Sequence, residues 1–172
     1  GDRVLRRLGI ERSEVGILGY GALCLAAIGW TDVSLANISE TYFLKRVGVQ
    51  YLPLAFLGSS VLLVGTGLLL SRFVANRDRT LMLPSIFAVL AAALMGLWGL
   101  FQLGIPGSTE SLIIVSKQFK MAAMLVFWVV LGDTLNARQS KRLYAPLTAG
   151  ATLGAIAGSS ASGAIGQYIG LN

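Results

Sequence analysis

Histidine is absent from this chain of 172 residues, and cysteine occurs once, at Cys24. Together these rule out disulfide frameworks, Cys/His zinc sites, Cys–His nucleophiles and axial-histidine haem ligation. Charge is scarce too, at 13% of residues against roughly 25% in an ordinary soluble domain. With most catalytic constellations gone, the chain is not expected to be an enzyme, and no cofactor or metal is expected. The formal net charge of +6 does not point to nucleic acid. The basic residues fall in short clusters between apolar runs instead of lining one face, so no nucleic-acid partner is expected.

Hydrophobic residues are what is abundant, at 55%. Val47 to Ser71 is a charge-free run of 25 residues, and Thr80 to Thr109 and Leu143 to Asn172 are runs of 30 each. A membrane-spanning helix needs about 20. The expected fold class is therefore all-α, a polytopic membrane helix bundle with about five transmembrane helices. The spans fall at about 15–37, 51–73, 81–104, 112–135 and 145–170, after an amphipathic segment at 1–14. Pro53, Pro84 and Pro146 stand near expected helix starts, where proline is tolerated, and Gly104-Ile105-Pro106-Gly107 follows the third span. Barrel strands of about 10 alternating residues do not fit such runs. The lipid bilayer is thus the first expected partner.

Orientation follows from counting lysine and arginine on alternate sides. Arg3, Arg6, Arg7, Arg12, Arg72, Arg77, Arg79, Arg138, Lys141 and Arg142 lie on one side, and Lys45, Arg46, Lys117 and Lys120 on the other. The ten-to-four bias places the N-terminus in the cytoplasm, and an odd span count leaves Asn172 outside.

The fourth span is unusual. Its longest uncharged stretch, Met121 to Gly132, has 12 residues and would cover about 18 Å of a hydrocarbon core of roughly 30 Å. It must carry charge into the membrane. Lys117 and Lys120 share a helical face that continues through Met124 to Trp128. The face suits a water-filled cavity that binds an anion; the alternative is that both lysines snorkel to the outer headgroups. Asp32, beside Trp30 and expected about four residues from the outer end of the first span, lies at a depth that allows an ion pair with either lysine. It is otherwise an interfacial polar residue in a loosening helix end. Asp32, Lys117, Lys120 and Trp128 are the candidate substrate-binding residues.

In the fifth span Gly150, Gly154 and Gly158 recur every fourth residue, and Gly166 and Gly170 repeat the interval. Small residues at that spacing allow close helix approach, so these five are candidate helix-packing positions.

One stretch is more specific. Phe127-Trp128, the loop Asn136-Ala137-Arg138-Gln139-Ser140-Lys141-Arg142-Leu143-Tyr144, then Pro146-Leu147 and the glycine ladder, resemble the fourth and fifth spans of the ATP/ADP translocase (nucleotide transporter) family and its bacterial major-facilitator relatives. Asp32, Tyr42-Phe43-Leu44 and Leu52-Pro53 are similar to the end of that family's first span and the start of its second. The resemblance covers about residues 16–170. It departs at Thr31, where the family carries lysine, and at Ser116-Lys117, where it carries glutamate. It implies the N-terminal half of a major-facilitator-type carrier, in the bacterial inner membrane, for an anionic or nucleotide-like solute. A complete facilitator has two six-helix halves around a midplane site, so a second helical bundle is implied as partner. The other reading is a non-transporting transmembrane subunit, a half-carrier fold reused within a larger complex of membrane subunits.

Overall fold

The computed structural model describes residues 14–75, 79–103 and 107–168. Among these residues it is an all-α bundle of five α-helices: α1 (Val15–Arg46), α2 (Leu52–Ala75), α3 (Arg79–Gln102), α4 (Ser108–Thr134) and α5 (Ala137–Tyr168). Residues 1–13, which hold nearly all of the expected amphipathic segment, lie outside the described residues. Among the described residues three segments are long and apolar enough to cross a membrane: Val15–Arg46, Val49–Arg72 and Glu110–Thr134. In α3 the shorter stretch Pro84–Leu100 is apolar. In α5, glycine, serine and threonine take up positions that leucine would otherwise fill.

Two helices are longer than their apolar runs. α1 continues nine residues past the expected end at 37, through Asn37, Glu40 and Thr41, to Lys45 and Arg46. The sequence holds no proline or glycine between Trp30 and Gly48, and Thr31 and Thr41 return their hydroxyls to the carbonyls of Ala27 and Asn37. The helix stops where Gly48 takes a φ of 102°, a conformation that suits glycine. The amides of Val47 and Gly48 both reach the Phe43 carbonyl, and the two terminal cations favour the negative end of the helix dipole. At 1.5 Å per residue α1 is about 48 Å long and outruns the hydrocarbon core.

α5 begins at Ala137, eight residues before the expected start. The supposed loop is its first two turns. The Asn136 amide donates to Gln139 Oε1 at 3.0 Å, and Ser140 closes onto the Asn136 carbonyl. This is the glutamine half of a capping box, which supplies a partner to an amide the helix leaves unpaired. Gln139→Ala is expected to cost about 1 kcal/mol, measurable as a lowered thermal midpoint in detergent. Pro146 consequently sits inside α5 and does not open it.

α4 is the hub, packed on α1, α2 and α3. Its Phe119, Ala123, Phe127 and Leu131 form one core with Leu25 and Ile28 of α1 and Leu143 and Leu147 of α5. That position explains how a helix with only 12 uncharged central residues is accommodated, because other helices surround much of it. α2 is the opposite case. Leu54, Leu57, Val61, Leu68 and Leu69 are each about two-thirds exposed, an apolar surface fit for lipid.

α1 and α5 make the closest pair. A Cβ added at Gly150, Gly154 or Gly158 would strike the carbonyl oxygen of Ala22, Ala26 or Trp30 respectively, and one at Gly29 would strike that of Ala151. Backbone therefore rests on backbone over more than two turns. Toward the end of α5 the contact turns polar: Ser34 Oγ donates to the Gly158 carbonyl at 3.1 Å, and Asn37 Nδ2 to Ser162 Oγ at 2.8 Å. Near the start of α5, Arg142 pairs with buried Glu14 at 2.8 Å. Gly166 lies in the last turns of α5, and Gly170 lies outside the described residues.

Candidate functional site

α1 and α4 run antiparallel. Ser39 Oγ donates to Ser116 Oγ at 3.1 Å near one end of their contact, while Gly21 lies against Phe127 and Leu131 near the other. The same seam carries charge. Lys120 Nζ lies 2.9 Å from Asp32 Oδ2, and Lys117 Nζ lies 2.5 Å from Glu40 Oε1. Asp32 does not stand near a helix end. With α1 extended to Arg46 it lies midway along that helix, and Lys120 lies midway along α4.

Two carboxylates on α1, two turns apart, thus meet two lysines on α4, one turn apart. The lysine stems close the difference. α2 completes the seam from the far side. The Phe56 ring lies 5.2 Å from Lys117 Nζ, close enough for a cation–π contact. Gln118 Nε2 donates to the Ser59 carbonyl at 3.1 Å. Gln118 Oε1 is buried with no partner among the described residues, an acceptor that costs free energy until water or another donor reaches it.

The two pairs differ in access. The Asp32 side chain is 13% exposed whereas that of Lys120 is 61% exposed. The carboxylate is therefore fixed in the seam and the ammonium arches over it from the rim. Charge at the middle of a membrane helix costs about 2.5–3.5 kcal/mol per residue on insertion scales and is characteristically turned toward protein or a water-filled cavity.

No family model, curated protein or solved structure matches the chain.

Of the four candidate binding residues, the structure joins Asp32 to Lys120 and gives Lys117 to Glu40. Trp128 stands apart. Its ring stacks on Tyr144 of α5 at 4.7 Å and meets Phe127 edge-on at 5.3 Å, two turns or about 12 Å along α4 from Lys120. It fastens α4 to α5. Sequence reasoning passed over Glu40, because hydropathy ends the first span at 37. The signal that would have found it is the lack of any helix breaker before Gly48. Among the described residues no cluster of three or more His, Cys, Asp or Glu side chains could hold a metal.

Proposed function

We propose that this chain is half of a membrane carrier of major-facilitator type for an anionic or nucleotide-like solute, with Lys117 and Lys120 offering positive charge to the substrate. The observation that carries the reading is the Asp32–Lys120 pair, halfway along two packed helices, with its ammonium exposed at the rim. An exposed ammonium at that depth is unfavourable against lipid, so it faces water or a second helical bundle. A carrier cavity between two bundles provides both. The resemblance to the nucleotide translocases supports the same reading.

The N-terminus is assigned to the cytoplasm of a bacterial inner membrane. With Lys117 and Lys120 taken as site residues, only Lys45 and Arg46 remain on the outer side against ten basic residues within, and the positive-inside bias strengthens.

The test is uptake in proteoliposomes by the full-length protein. Lys117→Ala with Lys120→Ala is expected to reduce anion uptake at least tenfold while the protein still runs as a single species in detergent. Undiminished uptake by that variant removes both lysines from the path. A native particle built of unrelated chains, with no uptake by the wild type, points instead to a non-transporting subunit.

A further inference from the structure

Both lysines of the seam already hold an anion. Lys120 binds the Asp32 carboxylate at 2.9 Å and Lys117 binds that of Glu40 at 2.5 Å. An incoming anion therefore meets no free ammonium. Building on the carrier reading, we infer that Asp32 and Glu40 are resident competitors and not substrate ligands: a tetrahedral oxyanion of phosphate or sulfate type binds by displacing them from Lys120 and Lys117.

Three observations carry this. The two acids are on α1 and the two bases on α4, so exchanging partners does not require either helix to unfold. Lys120 is mostly exposed and its carboxylate mostly buried, so the flexible ammonium swings outward while Asp32 remains fixed. The second lysine also has the Phe56 ring at 5.2 Å, a neutral surface that keeps a cation partly stabilised while its carboxylate is released. The choice of oxyanion follows from the cations. Lysine binds phosphate-type groups as a compact point charge, and two ammonium groups one turn apart offer two such charges to a single multivalent oxyanion.

Displacement has a quantitative signature. If the lysine is free in only a fraction of molecules, apparent affinity is reduced by that fraction, and removing the competitor restores it. With about one molecule in a hundred open, as the burial of the Asp32 carboxylate implies, Asp32→Asn tightens oxyanion binding by up to about a hundredfold. Glu40→Gln shifts affinity in the same direction through Lys117. Lys120→Gln weakens it.

The experiment is calorimetric titration of pyrophosphate and of sulfate into the full-length protein in nanodiscs, for the wild type and these three variants. Tighter binding by Asp32→Asn and Glu40→Gln with weaker binding by Lys120→Gln is the expected pattern. Unchanged or weakened binding by Asp32→Asn, while the wild type binds, overturns the competitor role and leaves the carrier reading intact. No binding of either probe by any form overturns the anion site itself.

A wild-type measurement guards against variants that fold poorly. A membrane-permeant carbodiimide activates the Asp32 carboxylate and joins it to the Lys120 amine as an amide, with the lost water taken up as the urea. Sulfate at saturation is expected to lower the yield of that cross-linked peptide at least threefold by mass spectrometry. An unaltered yield counts against displacement.

Discussion

Gly154→Ala should unfold the α1–α5 pair, although it adds one methyl group. A Cβ there would overlap the Ala26 carbonyl oxygen, and the obstacle is helix backbone, which cannot rotate aside as a side chain can. The helices would have to separate along the whole ladder, releasing the contacts at Gly29, Gly150 and Gly158 together with the Ser34 and Asn37 hydrogen bonds. The expected loss exceeds about 4 kcal/mol, in the range reserved for named structural failures. Gly19 and Gly132 supply the contrast, because a Cβ at either meets nothing within 4 Å. There the same substitution should be neutral or stabilising by up to about 1 kcal/mol, from helix propensity. Thermal unfolding in one detergent, read by circular dichroism, compares all three. A Gly154→Ala midpoint close to that of Gly19→Ala would disprove the close approach.

The second large effect is an asymmetry at the mid-helix ion pair. Lys120→Ala leaves the 13%-exposed Asp32 carboxylate without its counter-ion, and a stranded buried charge is among the more damaging changes a core can suffer. A loss on the order of 3 kcal/mol is expected. Asp32→Asn strands an ammonium that is already mostly exposed and can move toward water, so it should cost less, about 1 kcal/mol after allowance for solvent screening. The Asp32→Ala/Lys120→Ala double variant should be more stable than the sum of its singles implies, since it leaves no orphan. Equal costs for the two single variants would show that both ends of the pair share one environment.

The all-α class was legible from the length of the charge-free runs, and the ladder at Gly150, Gly154 and Gly158 from its four-residue interval. Both are properties of one segment. What the ladder meets was not legible, because Ala22, Ala26 and Trp30 are more than a hundred residues away and nothing local marks them. The helix ends were misjudged for a different reason. Hydropathy measures affinity for lipid, and it stops at Asn37 and resumes at Ala145, whereas the backbone stops only where hydrogen bonding or φ requires it. Asn136 and Gln139 at the start of α5, and Gly48 after α1, were the residues to consult. That error moved Asp32 from the middle of a helix to its end and hid Glu40. Trp128 illustrates the limit of reasoning by face, since it shares a stripe with Lys120 and yet spends its ring on Tyr144.

The tightest contact in the bundle joins its first helix to its fifth, with a consequence for how the protein is made. Helices leave the ribosome in order, and α1, with its small-residue face at Ala22, Ala26 and Gly29, its largely buried Asp32 and the buried Glu14 just before it, emerges long before the partners that cover them. Asp32 waits for Lys120, and Gly29 for the segment around Ala151. During synthesis α1 therefore keeps its carboxylate and its small-residue face uncovered until Lys120 and the α5 ladder as far as Gly158 have been made.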